Sequence, residues 1–260
     1  MGASAAAAVS RRALLLGGVF AGALLAAGCA PRAERRTPDA ASLRALVYAG
    51  PQGCPGCAPA IGEALGDAPR PFQVEYVGPG TGRPLTAEAL ARADLYVQPG
   101  GGDDLAATWR DLEGSADAVR DWVAGGGRYL GICFGGYLAG RAPGFDLLPG
   151  DAFGWAGSPG ASVPDARDTV IPVRWRGERR HVYFQDGPGF ALEDGAEAEV
   201  LATYDDGVPA VLVAAHGAGR VAVTGPHLEA DASWYAEKGL RNPDGVDPEL
   251  LHRLLGAVMT

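Results

Sequence analysis

Short apolar runs alternate with glycine-rich and polar stretches through the first half of the folded part of the chain. Four of these runs have the length of a buried β-strand, and they cover residues 45–49, 72–77, 94–98 and 129–132. Between them, apolar residues recur at helical spacing in segments 54–65, 86–93 and 105–123, the last with a break near Gly114. Strands that alternate with helices are typical of a parallel sheet with helices on its faces. The pattern therefore predicts an α/β fold.

The second half of the chain carries shorter strand-like segments separated by turn sequences such as Arg176-Gly177 and Asp206-Gly207. These segments cover residues 169–175, 181–185, 199–204, 210–214 and 220–224. Their close spacing predicts antiparallel or mixed strands added to the parallel core. A final helix is predicted over residues 247–259, where apolar residues recur on one side.

Residues 1–29 have the features of an export signal rather than of a folded domain. Arg11 and Arg12 precede an apolar run that ends at Cys29, as in a twin-arginine signal. The residues before Cys29 resemble the lipobox of bacterial lipoproteins, in which the cysteine is lipidated and becomes the mature N-terminus. We therefore expect a lipid-anchored lipoprotein on the outer face of the cytoplasmic membrane. A secreted protein and an uncleaved anchor are the alternatives.

The rest of the chain fits one domain preceded by a tether. Residues 30–42 combine prolines with charges and predict a flexible tether, and residues 43–260 have the length of a single α/β domain. The whole chain has a net charge of −9, and Lys238 is its only lysine. It therefore lacks the basic patch of a nucleic-acid-binding protein, and we expect no nucleic-acid partner.

Cys133 stands in the stretch Gly131-Ile132-Cys133-Phe134-Gly135, where a strand breaks on small residues and a helix-like segment follows. This is the sequence form of a nucleophile elbow, a sharp strand-to-helix turn that holds one side chain in strained backbone geometry. Glycine on either side permits the turn, and the following N–H, that of Phe134, would face an oxyanion. The alternative is a buried, inert cysteine at a tight strand end.

A second glycine-rich turn, Gly100-Gly101-Gly102, follows the strand predicted over residues 94–98. Glycines after a strand let backbone N–H groups approach a ligand closely, and the alternative is a plain flexible turn. Ligands in parallel sheets bind at the carboxyl ends of the strands. Both this turn and Cys133 lie at such ends, so we expect them to share a site.

Cys54 and Cys57 form a C-x-x-C pair just after the first strand. We expect a disulfide that stiffens a loop near the mouth of the site, with a thioredoxin-like redox pair as the alternative. No metal site is expected, because no second pair of ligands follows at the spacing of a zinc motif, and no cofactor is expected either. If Cys29 is lipidated, Cys133 is left unpaired, and an unpaired cysteine in an oxidising compartment is buried or used.

A catalytic cysteine needs a base that forms the thiolate and a group that orients the base. His227 follows a buried strand, with Glu229 two residues later, and is the candidate base among four histidines. The polar strand and turn contexts of His181 and His216 indicate surface positions. His252, in the last helix, fits a solvated or packed role.

Four stretches with chemical or turn motifs occur in order along most of the domain, at residues 48–51, 97–101, 131–135 and 223–229. They resemble the class I glutamine amidotransferase-like superfamily, and within it the group named for the N-terminal domain of biotin–protein ligase. The resemblance implies a flavodoxin-like three-layer α/β sandwich with a mostly parallel sheet, to which the second half adds antiparallel strands. The site residues that it implies are catalytic Cys133, His227 and Glu229, with oxyanion-hole N–H groups from Phe134, Gly100 and Gly101.

The chain departs from the superfamily pattern at two positions. Tyr137 stands where glutamine-hydrolysing members have glutamine, and Leu228 stands where they have proline. The first position bears on substrate binding, so glutamine specificity is not predicted. We also expect no fused synthetase partner, and biotin transfer is not predicted.

These observations favour an exported thiol hydrolase that acts on an amide or related acyl bond of a small-molecule or peptide-like substrate. Two alternatives from other classes stay open. The first is a binding or scaffold protein that keeps the fold without turnover, because a fold alone does not decide function. The second is a thiol–disulfide protein that uses Cys54 and Cys57.

Overall fold

The computed structural model describes residues 42–260 apart from Asp103 and Ala142. The predicted export signal, the lipidation of Cys29 and nearly all of the predicted tether lie outside the described residues. In the part that is described, no helix is both long and apolar enough to cross a membrane.

Strands and helices alternate through the first half of the domain, as the hydrophobic pattern predicts. The strands are β1 (Leu43–Tyr48), β2 (Phe72–Val77), β3 (Leu95–Gln98), β4 (Arg128–Ile132), β5 (Gly150–Gly154), β6 (Thr169–Trp175), β7 (Glu178–Phe184), β8 (Pro188–Leu192), β9 (Ala198–Thr203), β10 (Pro209–His216) and β11 (Gly219–Thr224). The helices are α1 (Cys57–Gly66), α2 (Ala87–Leu90), α3 (Leu105–Leu112), α4 (Ala116–Ala124), α5 (Phe134–Leu138), α6 (Ala232–Glu237) and α7 (Glu249–Met259). A 3₁₀ turn over Glu113–Ser115 separates α3 from α4, which confirms the break predicted near Gly114.

Nine strands form one sheet in the order β2-β1-β3-β4-β11-β10-β9-β6-β7. The first five are parallel, and the pairings from β11 to β7 are antiparallel. The mostly parallel α/β fold with added antiparallel strands is therefore confirmed. Strand β11 pairs with β4 although the two are far apart in the sequence. This pairing matters most for the site, because it brings the ends of β4 and β11 together.

Strands β5 and β8 form a separate antiparallel pair that the sequence analysis does not predict. Their sequences, Gly-Asp-Ala-Phe-Gly and Pro-Gly-Phe-Ala-Leu, contain glycine or proline and no β-branched residue. Residues of this kind have low strand propensity, so the pairing comes from tertiary packing. The six-residue helix α6 is also missing from the sequence prediction.

Two hydrophobic clusters cover the two faces of the sheet. Consecutive strand residues point to opposite faces, and accordingly Leu46 belongs to one cluster and Val47 to the other. Helices α1 and α7 pack on the Val47 face, where Leu254 is fully buried. Helices α3 and α4 pack on the Leu46 face. Complete burial of one such leucine is worth ~1.5–3 kcal/mol, so the layers hold the strand ends firmly in place.

Candidate active site

Cys133 lies in the turn between β4 and α5 with φ of 50° and ψ of −107°, a backbone conformation that residues other than glycine rarely adopt. Such a conformation costs ~1–3 kcal/mol and is common at functional sites. The turn needs glycine beside it, because a Cβ on Gly135 would collide with the carbonyl group of Gln98. The local geometry is therefore that of a nucleophile elbow.

The elbow buries the cysteine and orients the backbone that follows it. The Cys133 side chain is 2% exposed, and its Sγ lies 3.5 Å from the carbonyl oxygen of Gln185. Phe134 is the first residue of α5, so its N–H has no acceptor one turn earlier in the helix. That N–H is a donor next to the sulfur.

The glycine turn after β3 packs against both the elbow and the histidine. A Cβ on Gly101 would overlap the ring of Phe134, and a Cβ on Gly100 would lie 2.9 Å from His227 Cε1. The Gly102 N–H already donates to the carbonyl oxygen of Gln52 at 2.8 Å. Of the three glycines, Gly100 and Gly101 are therefore the candidates for an oxyanion donor.

His227 is 4% exposed and its ring is paired with a carboxylate. Its Nδ1 lies 2.8 Å from Glu229 Oε1, and the sulfur of Cys133 is close enough to raise its pKa. A carboxylate only accepts hydrogen bonds, so Nδ1 carries a hydrogen. The side chain of Glu229 has no exposed surface. The structure thus pairs His227 with Glu229 and places both near Cys133.

Burial and neighbouring charges shift the pKa of His227 in opposite directions. Burial by itself would lower the pKa of His227, but the Glu229 carboxylate and the Cys133 sulfur outweigh it and raise that pKa above its usual value. The cause is that both partners favour the charged imidazolium. This arrangement suits a base that has to hold a proton taken from a thiol.

The disulfide predicted between Cys54 and Cys57 is present, and it lies closer to the histidine than the sequence indicates. A Cβ on Gly100 would lie 2.9 Å from Cys57 Sγ, the same distance as from His227 Cε1. Cys57 is fully buried. The disulfide therefore forms part of the wall of the site.

Comparisons with known proteins identify related sequences. Residues 45–149 match the family described as biotin-protein ligase, N terminal. The chain is 32% identical over 149 residues to the imidazole glycerol phosphate synthase subunit HisH of Granulibacter bethesdensis, across 49% of this chain and 66% of that relative. It is 38% identical over 91 residues to the subunit of that name from Gloeobacter violaceus, across 32% of this chain and 39% of that relative. The chain thus spans less than two thirds of each relative.

Solved structures show the same fold. A glutamine amidotransferase from Thermotoga maritima superposes with a TM-score of 0.55 and 15% identity, over 84% of this chain and 98% of that chain. The structure of PurLQS from the same organism gives a TM-score of 0.53 with 18% identity, over 72% of this chain and 88% of that chain.

In sequence and in fold, the chain is similar to the class I glutamine amidotransferase-like superfamily. Within that superfamily, its first half is similar to the biotin–protein ligase N-terminal group.

In this amidotransferase-like protein, a cavity of about 540 Å³ opens beside His227. The residues that line it include Cys54, in the loop after β1, and Tyr183, Trp234 and Lys238. The Trp234 ring centroid lies 5.2 Å from that of His227, and Lys238 Nζ lies 3.4 Å from Asp168 Oδ2. A volume of this size suits a small-molecule or peptide-like ligand.

The sequence analysis does not identify the residues of this cavity wall. Trp234 belongs to α6 and Lys238 follows that helix directly, and the helix is too short to give a clear periodic pattern. The one available signal is compositional, because Lys238 is the only lysine in the chain. Its place beside the site becomes visible only in the fold.

Tyr137 occupies the position where glutamine-hydrolysing members have glutamine. Its hydroxyl donates to the carbonyl oxygen of Asp186 at 3.2 Å, next to Gln185, whose carbonyl oxygen contacts Cys133. Burial, followed by the nearby Asp186 carboxylate, raises the pKa of Tyr137, so the phenol stays neutral and keeps its donor. Tyr137 therefore contributes to the packing behind the cysteine.

The other three histidines lie outside this constellation. His181 Nδ1 lies 3.0 Å from Asp244 Oδ2, and His216 Nδ1 lies 3.1 Å from the carbonyl oxygen of Leu147. His252 lies in α7, one turn after Glu249. All three are half-buried, so the surface position predicted for His181 and His216 holds only in part.

Proposed function

We propose that this protein is a thiol hydrolase that cleaves an amide or related acyl bond of a small-molecule or peptide-like substrate. The observation that carries the proposal is the buried hydrogen bond between His227 and Glu229, which lies at the same sheet edge as the Cys133 elbow. An inert buried cysteine would not explain why a histidine paired with a carboxylate lies near the elbow. The cavity beside His227 supplies space for a substrate.

The first half of the reaction forms a thioester. His227 accepts the thiol proton of Cys133, while Glu229 holds the imidazole through its Nδ1–H. The thiolate attacks the carbonyl carbon, and the C=O electron pair moves onto oxygen, which the N–H groups of Phe134 and the Gly100–Gly101 turn stabilise. When this intermediate collapses, the C–N bond breaks and the leaving amine takes the proton from His227.

The second half releases the acid. His227 accepts a proton from a water molecule, and the resulting hydroxide attacks the thioester carbonyl. The C–S bond then breaks, the thiolate of Cys133 takes back the proton from His227, and the carboxylic acid leaves. Atoms and charges return to the starting state, so no cofactor is required.

The proposal includes the location of the enzyme. Residues 1–29 act as a twin-arginine signal, Cys29 carries the lipid, and residues 30–42 tether the domain to the outer face of the cytoplasmic membrane; secretion without the lipid is the alternative. The two relatives are by name subunits of a synthase. We propose that this chain acts without a fused synthetase partner.

The test is acylation by an activated ester, followed by intact mass and by mapping of the modified peptide. Wild type should acquire one acyl group on Cys133 and lose it again with time, and Cys133→Ala should acquire none there. If Cys133 is never acylated and no amide from a varied panel is cleaved, the protein is a non-catalytic binding protein with this fold. Turnover that persists in Cys133→Ala and disappears in a Cys54→Ser/Cys57→Ser variant would instead favour thiol–disulfide chemistry.

A further inference from the structure

The buried end of the site holds a second group of donor atoms besides the proposed triad. Ligand atoms of Cys57, His227 and Glu229 all lie within 4.8 Å of one another. All three residues are buried, at 0%, 4% and 5% exposure. Sulfur, imidazole nitrogen and carboxylate oxygen at such distances form the donor set that proteins use for zinc.

One oxygen of this group lacks a partner. Glu229 uses Oε1 to accept from His227, whereas Oε2 is buried and has no hydrogen-bond partner among the described residues. A buried carboxylate oxygen without a hydrogen-bond donor destabilises the folded state, because folding has removed its water and has not replaced the lost hydrogen bonds. A cation bound at this position would satisfy it.

Cys54 lies outside the group of three, but reduction of the disulfide would free its sulfur close to that group. A Cβ on Gly100 would lie 2.9 Å from Cys57 Sγ and 3.6 Å from Cys54 Sγ, so both sulfurs face the side of the turn where His227 lies. The backbone between them turns at Gly56, which has φ of 88°. The sequence lacks a second pair of ligands near the C-x-x-C pair, but the fold delivers one, His227 and Glu229, from the end of β11.

We propose that reduction of the Cys54–Cys57 disulfide converts this group into a zinc-type cation site with Cys54, Cys57, His227 and Glu229 as ligands. The thiolate is the form of cysteine that binds metals, so the disulfide keeps the site closed. A dithiol reductant supplies two electrons and two protons and becomes a disulfide itself. When the cation binds, the two thiols release their protons to water.

The two redox forms have different consequences for Cys133. In the disulfide form, no cation competes for His227, and the imidazole is free to act on the cysteine. In the reduced form, a cation bound to His227 and Glu229 prevents His227 from accepting the thiol proton of Cys133. This consequence for catalysis rests on the proposed function, but binding of the cation does not.

The test measures zinc binding by the full-length chain in a Cys29→Ala background, in which Cys133 is the only other cysteine. Protein is prepared in the disulfide form or reduced with a dithiol that is then removed under anaerobic conditions, and both forms compete with a chromogenic chelator for Zn²⁺. Reduced protein should bind one zinc ion per chain and hold it at least about tenfold more tightly than the disulfide form.

Variants identify the ligands. In reduced protein, Cys57→Ser and Glu229→Gln should each weaken zinc binding at least tenfold, while Cys133→Ala and His252→Ala should leave it unchanged. Reduced wild type that binds no more tightly than the disulfide form would overturn the proposal. So would loss of binding in Cys133→Ala, because the site would then lie elsewhere.

Cobalt(II) provides a readout that does not depend on the folding of any variant. Reduced wild type loaded with Co²⁺ should show thiolate-to-cobalt charge-transfer absorption, and the disulfide form should show none. Absence of that absorption at full loading would overturn the ligand assignment. A protein that hydrolyses no ester or amide but passes these tests keeps the cation site and loses only the proposed hydrolase function.

Discussion

Ile132 and Thr224 are paired across the parallel strands β4 and β11, and each is the last residue of its strand. The Cys133 N–H then donates to the carbonyl oxygen of Thr224 at 2.9 Å. Because both strands end at the same edge of the sheet, the cysteine after one and the histidine after the other emerge side by side. This register places Cys133 and His227 at the same edge of the sheet.

The first prediction concerns the base. In His227→Ala, alkylation of Cys133 by iodoacetamide at neutral pH should slow at least tenfold, because a positioned base typically contributes ~10²–10⁴ in rate. The rate is measured by mass spectrometry on the peptide that contains Cys133, which separates its signal from that of Cys29. His252→Ala is the matched control and should react at the wild-type rate. Equal rates in His227→Ala and wild type would mean that His227 does not activate the thiol.

The second prediction concerns the glycine turn after β3. Gly101→Ala should reduce turnover at least tenfold while the protein remains folded, because the added Cβ meets the ring of Phe134 and displaces the adjacent donors. Loss of one oxyanion donor typically costs ~10²–10³ in kcat. The control is Gly114→Ala, whose Cβ would meet nothing within 4 Å. Turnover and melting temperature are measured for both, and full activity in folded Gly101→Ala would place the oxyanion donors elsewhere.

The third prediction concerns stability against pH at α6, the helix that carries Trp234. Asp231 caps this helix and accepts from the Ser233 N–H at 2.7 Å. The hydrogen bond from the Ser233 side chain, ahead of the backbone bonds, lowers the pKa of Asp231. Its charge therefore stabilises the fold fully above the unfolded-state pKa of ~3.9, and this contribution is lost as the pH falls through the lower folded-state pKa.

Two variants separate the cap from its charge. Asp231→Ala should lower the free energy of unfolding by about 0.5–1 kcal/mol near neutral pH. Asp231→Asn, which keeps an acceptor, should lose less, and its difference from wild type should disappear at acid pH. Urea unfolding at several pH values measures both. The exposed Asp121 of α4 provides the control, and Asp121→Asn should change the free energy of unfolding near neutral pH by less than ~0.5 kcal/mol.

The fourth prediction concerns residues 1–41, outside the described part of the chain. Changing Arg11 and Arg12 together to lysine should block translocation, because a twin-arginine signal requires the arginine pair. Cys29→Ala should move the protein from the membrane fraction to the soluble fraction, because it removes the site of the lipid. Fractionation and immunoblotting of the producing cells measure both, and a Cys29→Ala protein that stays with the membrane would point to an anchor in residues 13–28.

The hydrophobic pattern predicts the strands of the parallel core well, because strands buried on both faces are continuous apolar runs. The predicted strand over residues 72–77 coincides with β2, and the elbow around Cys133 follows from its glycines. The pattern fails at β5, where Gly-Asp-Ala-Phe-Gly gives no periodic signal. The structure of such a segment depends on the residues that pack against it in the fold, and sequence periodicity contains no information about those residues.

In the candidate site as well, features formed by residues close in sequence are predictable, and contacts between residues far apart in sequence are not. His227 and Glu229 are recognisable because they are two residues apart, but the approach of Cys57 to His227 has no counterpart in the sequence. It depends on the order of β1, β3, β4 and β11 in the sheet, which brings the loops after β1 and β11 to the same side of Gly100. Only the folded chain brings those loops together.

The pairing of β4 with β11 also determines the stage of folding at which the site forms. All the strands from β5 to β10 lie between them in the chain, so a nascent polypeptide that has just emerged past Cys133 has neither β11 nor His227. Long-range pairings of this kind form late, because the loop between them must close first. The cysteine therefore stays without its partner while the next 94 residues are synthesised, and it gains one only when the last strand docks into the middle of the sheet.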